Sequence, residues 1–215
     1  VLNIKEDDEG RIWISNFGVG YLVIDMKQQE IHKFTTEQGL ISDWGVDVTQ
    51  DTENTLWLPS RNGINILDFK NNTNTIINGE ALLNTMRWPH YVKRKNGTYW
   101  IVDRNGIHIL SADRKTITYL TKENFGEHFY ELTKIAEAKD GTLWIGNESG
   151  YMHAVNWEDK SFSTYNLHSG SKKTVYKIVF DNSDQLWATL LDGGTYVLDL
   201  KGNQPAIITP EKGLS

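Results

Sequence analysis

Aromatic and charged side chains recur in the stretches that separate short apolar runs. Asp43 stands with Trp44, Arg87 with Trp88 and His90, His128 with Phe129 and Tyr130, and Lys172 with Lys173 and Tyr176. A second set, Phe17, Arg61, Arg104, Glu148 and Asp192, follows shortly after tryptophans. An exposed aromatic ring offers a flat apolar face to the C–H groups of a sugar. Arginine or aspartate beside it can hydrogen-bond hydroxyls or pair with a uronate or sulfate. Trp44, Trp88, Arg87, His90, Tyr130, Arg61 and Arg104 are therefore the candidate ligand-binding residues. For Trp44 and Trp88, packing against a neighbouring sheet and a dimer or interdomain surface are competing roles. Arg61 and Arg104 read equally well as solvated turn residues.

Other chemistries lack their residues. The six histidines, at 32, 90, 108, 128, 153 and 168, show no H-E-x-x-H or other close ligand spacing. His108 and His153 fall in expected strands, where a structural or surface role is predicted. No G-x-S-x-G elbow occurs. "EDDEG" and "DNSD" lack the ligand pattern of a calcium loop and read as solvated turns. There is no cysteine, which excludes disulfides, thiolate metal sites and a cysteine nucleophile. No metal and no cofactor is expected. Net charge is −6, so a phosphate backbone would be repelled and nucleic acid is not an expected partner. No apolar stretch approaches the roughly 20 residues of a spanning helix. The chain opens "VLNIKEDDEG" without an initiator methionine, and it is read as a piece of a longer protein.

The elements that must position these residues are set by a repeat. "EGRIWISNFGVG", "ENTLWLPSRNG", "NGTYWIVDRNG", "DGTLWIGNESG" and "SDQLWATLLDGG" place a tryptophan at 13, 57, 100, 144 and 187, with spacings of 43 or 44. Each unit reads as four short strands. In the fourth these are Leu132 to Ala138, Thr142 to Gly146, Tyr151 to Val155 and Ser161 to Tyr165, with Gly141 free to take positive φ in the first turn. No sustained 3.6-residue period appears, so helices should be scarce. Units of this length with four strands predict an all-β propeller of five four-stranded antiparallel blades, each about 43 residues long. The blades are expected at about 1–43, 44–87, 88–130, 131–173 and 174–215. Trp13, Trp57, Trp100, Trp144 and Trp187 are the expected blade core, each wedged between neighbouring blades. Gly20, Gly63, Gly106, Gly150 and Gly194 open third strands, and turn geometry accounts for them. The inter-blade loops and the second-to-third turns share one face, where loops from several blades converge.

The unit resembles the two-component regulator propeller repeat. The resemblance is carried by "DDEGRIWISNFGVGYLVID" with "FTTEQGLISD", by "RNGINILD", by "KDGTLWIGNESG" and by "TPEKGLS". It covers all five units. Units two and three depart from it: Glu53-Asn54 replaces the Asp-Gly pair, and Ser111 stands where Asp25, Asp68 and Asp199 stand elsewhere. The resemblance implies a periplasmic sensor region of a bacterial hybrid two-component protein that controls polysaccharide use. It implies a propeller often of seven blades, so five here suggests part of a larger ring. It also implies a parent chain with further propellers, a sandwich domain, a membrane span and a histidine kinase, acting as a homodimer. The expected function is recognition of an oligosaccharide, without catalysis in this segment. A streptogramin-lyase-like propeller enzyme, which would need His128 or His90 at the mouth, and a protein-binding scaffold are the alternatives.

Overall fold

Four to six residues of apolar-rich sequence closed by turn residues make short antiparallel strands, and these are what the computed structural model contains. It describes residues 3–52, 54–78, 90–114, 116–167, 173–191, 193–198 and 205–208. Among these, the first sheet is β1 (Asn3–Glu6), β2 (Arg11–Asn16), β3 (Gly20–Asp25) and β4 (Glu30–Phe34). The second is β5 (Thr49–Thr52), β6 (Thr55–Ser60), β7 (Gly63–Asp68) and β8 (Thr73–Asn78). The third is β9 (His90–Lys93), β10 (Tyr99–Asp103), β11 (Gly106–Leu110) and β12 (Ile117–Leu120). The fourth is β13 (Leu132–Glu137), β14 (Leu143–Asn147), β15 (Tyr151–Asn156) and β16 (Ser161–Asn166). The fifth is β17 (Val175–Phe180), β18 (Leu186–Leu190), β19 (Gly194–Leu198) and β20 (Pro205–Ile208). Every sheet is a meander in chain order, antiparallel throughout. The chain divides into two compact units, Val1–Pro89 with two sheets and His90–Ser215 with three.

One turn recurs between first and second strands. The amides of Asp7, Arg94, Ala138 and Asp181 each donate to the carbonyl four residues on, and the amide three residues on donates back. That third residue must adopt left-handed backbone, which glycine reaches without a Cβ clash. Gly141 does so at φ 90; Asp184 occupies the place in the fifth sheet at φ 65.

The indoles pack by a directional rule. Trp13 is buried beside Phe69 of the second sheet, with Leu56, Leu58 and Leu67 in the same cluster. Trp100 is buried with Ile135, Leu143, Ile145 and Val155 of the fourth sheet, and Trp157 lies 5.2 Å away, edge-on. Trp144 is buried with Val175, Ile178, Leu186 and Ala188 of the fifth. In these three contacts the sheet that follows in sequence buries the ring. Trp57 is fully buried as well. Trp187 departs from the expectation of five equivalent plugs and is only half-buried.

The indole nitrogens show a second regularity that the sequence reading missed. Trp13 Nε1–H donates to Asp7 Oδ2 at 2.8 Å, and Trp187 Nε1–H to Asp181 Oδ2 at 3.0 Å. Both acceptors lie six residues before their tryptophan, and Asp51 stands at that spacing before Trp57. Arg94 holds this place before Trp100 and makes a clip between sheets instead. Its buried guanidinium meets Glu137 at 3.0 Å, Glu158 at 3.4 Å and the Gly141 carbonyl at 3.0 Å. Close approach also joins the fourth and fifth sheets: a Cβ on Gly146 would lie 2.4 Å from Val175 Cγ1.

Candidate functional site

Two positions of the repeat carry the loop face. One is the fourth residue after the blade tryptophan: Phe17, Arg61, Arg104, Glu148 and Leu191. The other is the thirteenth before it: Trp44, Glu131 and Thr174, with Arg87 outside the described residues. One backbone hydrogen bond ties the two in three sheets. The amide of Arg61 donates to Trp44 O (3.2 Å), that of Glu148 to Glu131 O (2.9 Å) and that of Leu191 to Thr174 O (2.8 Å). The frame is repeated, so differences between units lie in the side chains hung on it.

In the first unit the frame carries an exposed aromatic pair under a cation. Phe17 and Trp44 meet edge to face, centroids 4.5 Å apart, each about two-fifths exposed (42% and 40%). The Arg61 guanidinium lies over the Trp44 ring, 5.3 Å from its centroid. The loop beneath is fixed from both sides. Thr35 caps a single 3-10 turn, Thr36–Gln38, with Gln38 bonding back in a capping box. The Asp43 carboxylate accepts from the Thr36 amide (2.7 Å) and hydroxyl (3.2 Å), so it anchors the loop. The buried Leu40, the bond that Asn65 Nδ2 donates to Gly39 O (2.9 Å) and the one that Asn65 Oδ1 accepts from the Ile41 amide (3.0 Å) hold the same segment. Trp44 is thus presented on a preorganised loop.

In the second unit the same positions carry ion pairs. Arg104 bonds Glu131 at 3.1 Å and Glu148 at 2.8 Å, with all three side chains about one-third exposed. Glu131 has φ 51, an uncommon left-handed value for a residue with a Cβ, and its amide donates to Arg104 O at 2.6 Å. Tyr130 is half-buried on this loop. Its neighbour Phe129 is fully buried, and His128 stacks on Tyr151 at 4.4 Å. Lys173 is half-buried, while Tyr176 is exposed at a register shift in β17.

His90 lies opposite Val102 in register, two residues before Arg104. It opens β9, and its Nδ1 accepts the Ile135 amide at 3.3 Å. Burial, with the nearby Lys134 charge, lowers its pKa to about 3, so it is neutral at pH 7. The remaining candidates, Arg87 and Trp88, lie outside the described residues, as do Lys172 and Asp192.

Three third strands share a buried polar position that the sequence did not reveal. Asn65, His108 and His153 face Leu58, Ile101 and Ile145 respectively in register. His108 Nε2 lies 3.1 Å from Asp103 Oδ2, both buried. His153 Nδ1 lies 3.1 Å from Thr164 Oγ1, and burial lowers its pKa to about 4. Both are interior residues. Among the described residues, no group of three or more histidine, aspartate or glutamate side chains could hold a metal ion. A cleft of about 480 Å³ opens between the two sheets of the first unit, floored by Trp13, Phe34 and Phe69. Several of its polar groups are already engaged. Arg11 pairs with Asp7, Gln38 closes the capping box, and Asn74 bonds Asn65 and Gly39.

No protein-family model and no curated protein matches the sequence. Solved structures do match. The extracellular domain of a putative hybrid two-component system from B. thetaiotaomicron aligns over 96% of this chain, with TM-score 0.77 and 22% identity. A second such domain from that organism aligns over 98%, with TM-score 0.76 and 18% identity. Virginiamycin B lyase from Staphylococcus aureus aligns over 96%, with TM-score 0.71 and 16% identity. The fold is that of a β-propeller. The chain spans 28% and 30% of the two sensor domains and 70% of the lyase. At these identities the propeller likeness fixes the architecture, while the side chains on its loop face are this chain's own.

Proposed function

We propose that this chain is the ligand-sensing propeller segment of a hybrid two-component signalling protein, placed on the periplasmic side of the membrane. In this reading it recognises an oligosaccharide, helps control polysaccharide use and is not catalytic. The observation that carries the reading is the exposed Phe17–Trp44 pair capped by Arg61, held on a loop whose backbone is bonded on both sides. A flat aromatic face beside a cation suits a sugar ring and its polar substituents. The match to extracellular domains of sensors supports the cellular context.

The segment belongs, in this proposal, to a larger seven-bladed ring within a longer protein; its partial coverage of the sensor domains supports the longer parent. The parent carries further propeller and sandwich domains and a kinase, and it signals as a homodimer. Ligand binding shifts that dimer only through a difference in affinity between its states. The lyase likeness supports a competing, catalytic reading. It is weakened by His90, whose Nδ1 lone pair is taken by the Ile135 amide, and by His128, which is stacked on Tyr151.

The test is calorimetric titration of the purified chain with a panel of oligosaccharides, beside the Trp44→Ala variant. Binding is expected to saturate for at least one glycan and to be lost in the variant without a change in fold. A panel that gives no heat and no thermal shift, or turnover of a depsipeptide by the protein, would overturn the proposal.

A further inference from the structure

Arg61 and Arg104 occupy the same place in consecutive repeats, four residues after Trp57 and Trp100, yet their surroundings differ. Arg104 is held between Glu131 and Glu148, so its charge is compensated twice within the protein. Arg61 is exposed and has no carboxylate partner among the described residues; what it touches is the Trp44 ring. The carboxylate next to Trp44 in sequence, Asp43, is taken up by the Thr36 amide and hydroxyl. A guanidinium whose carbon lies over an indole carries five N–H donors, and those not turned to the ring can pair with a planar carboxylate. This cation also stands out on a chain of net charge −6.

From this contrast we infer that the Phe17–Trp44–Arg61 arc selects a sugar bearing a carboxylate, a uronate residue of an oligosaccharide. The sugar's C–H face lies on the aromatic surface that Phe17 and Trp44 leave exposed, and its carboxylate pairs with Arg61. The inference rests on the proposal that this chain reads oligosaccharides, and it adds the class. A neutral sugar would leave Arg61 contributing hydrogen bonds of ordinary strength. A uronate would gain charge-assisted ones, which are about twice as strong. Arg104 takes no part, because a ligand carboxylate there would have to displace two internal partners.

The experiment titrates the full chain with an oligogalacturonate and with its methyl ester, which keeps the sugar ring and removes the charge. A neutral galactose oligomer of the same length is the third ligand. The acid is expected to bind about tenfold or more tightly than the ester. Raising salt should narrow that gap. Arg61→Gln is expected to bring acid and ester to the same affinity, and Arg104→Gln to leave the preference intact. Equal affinity for acid and ester in the unsubstituted protein, or a preference that survives Arg61→Gln, overturns the uronate assignment. If a neutral oligomer binds through Trp44 in that case, oligosaccharide recognition stands while the class falls. Absence of binding by all three ligands and by the wider panel removes both.

Discussion

Lowering the pH from 7 to 5 should destabilise this protein through two histidines that catalyse nothing. His153 is fully buried against Phe129 and Phe162, and desolvation lowers its pKa to about 4, outweighing a hydrogen bond to the His128 backbone that works to raise it. His90 is half-buried, with its pKa lowered to about 3 by burial and by Lys134. In the unfolded chain both return to the ordinary value near 6.5. A group whose folded pKa is depressed below its unfolded one binds its proton more readily when unfolded. Stability is therefore complete above about pH 6.5 and is lost as the pH falls toward the folded values. At pH 5 the loss is about 2 kcal/mol for His153. For His90 it is somewhat less once its partial exposure is discounted, giving roughly 3 to 4 kcal/mol together. That is a large fraction of the roughly 5–15 kcal/mol of a typical domain. Asp7 is also shifted: its burial works to raise the carboxyl, but bonds from Trp13 and Arg11 outweigh this and hold it below the usual carboxylate range. Its contribution is lost only at lower pH, so the interval from 7 to 5 belongs to the histidines. Urea titrations followed by tryptophan fluorescence at pH 7, 6 and 5 should show the midpoint dropping by more than about 1 M. His153→Asn keeps an acceptor near Thr164 but cannot titrate, and it should remove about half of the drop. A midpoint that stays level between pH 7 and 5, or a drop unaffected by His153→Asn, would refute this reasoning.

Three further outcomes are expected. Arg94→Met should cost about 2–4 kcal/mol in denaturant titrations, because Glu137 is left without its buried partner, and adding Glu137→Gln should recover part of the loss. Gly146→Ala should cost about 1–3 kcal/mol through its collision with Val175, and Val175→Ala should recover little of it, because the Val175 Cβ itself would lie 2.6 Å from the new methyl. Asp7→Ala should cost about 1–3 kcal/mol by stranding the Trp13 indole N–H, and the Trp13 emission should shift with it.

The architecture was legible because a tryptophan every 43 or 44 residues and a turn before it are local signals. The fourth unit's strands emerge within a residue or so of their expected ends for the same reason. Trp44 and Arg61 were each singled out, but their stacking was not legible, since it joins residues across two loops of one sheet. Arg104 was placed with Arg61 as a residue of one kind. The carboxylates that distinguish it, Glu131 and Glu148, lie 27 and 44 residues away and meet it only through folding. His90 was assigned to a loop because β9 is short and begins at that residue. The aspartate six residues before Trp13 and Trp187 was readable in the repeat, as a spacing that recurs without the tryptophan's own period requiring it.

The repeat separates two demands on one frame. The tryptophan and the residue six before it sit where sheets pack or turns close, and substitution there costs stability. In three sheets the residues four after and thirteen before the tryptophan are joined by a backbone bond, and the frame there persists whatever side chains they carry. Trp44, Arg61, Arg104, Glu131 and Glu148 accordingly lie outside the buried cores. Arg104→Ala should cost under about 1 kcal/mol, as a partly exposed ion pair does, whereas Trp100→Ala in the same sheet should cost about 3–5 kcal/mol. A loss at Arg104 as large as at Trp100 would mean that the ion pairs hold the sheets together. The loop face would then not be free to vary its chemistry independently of the fold.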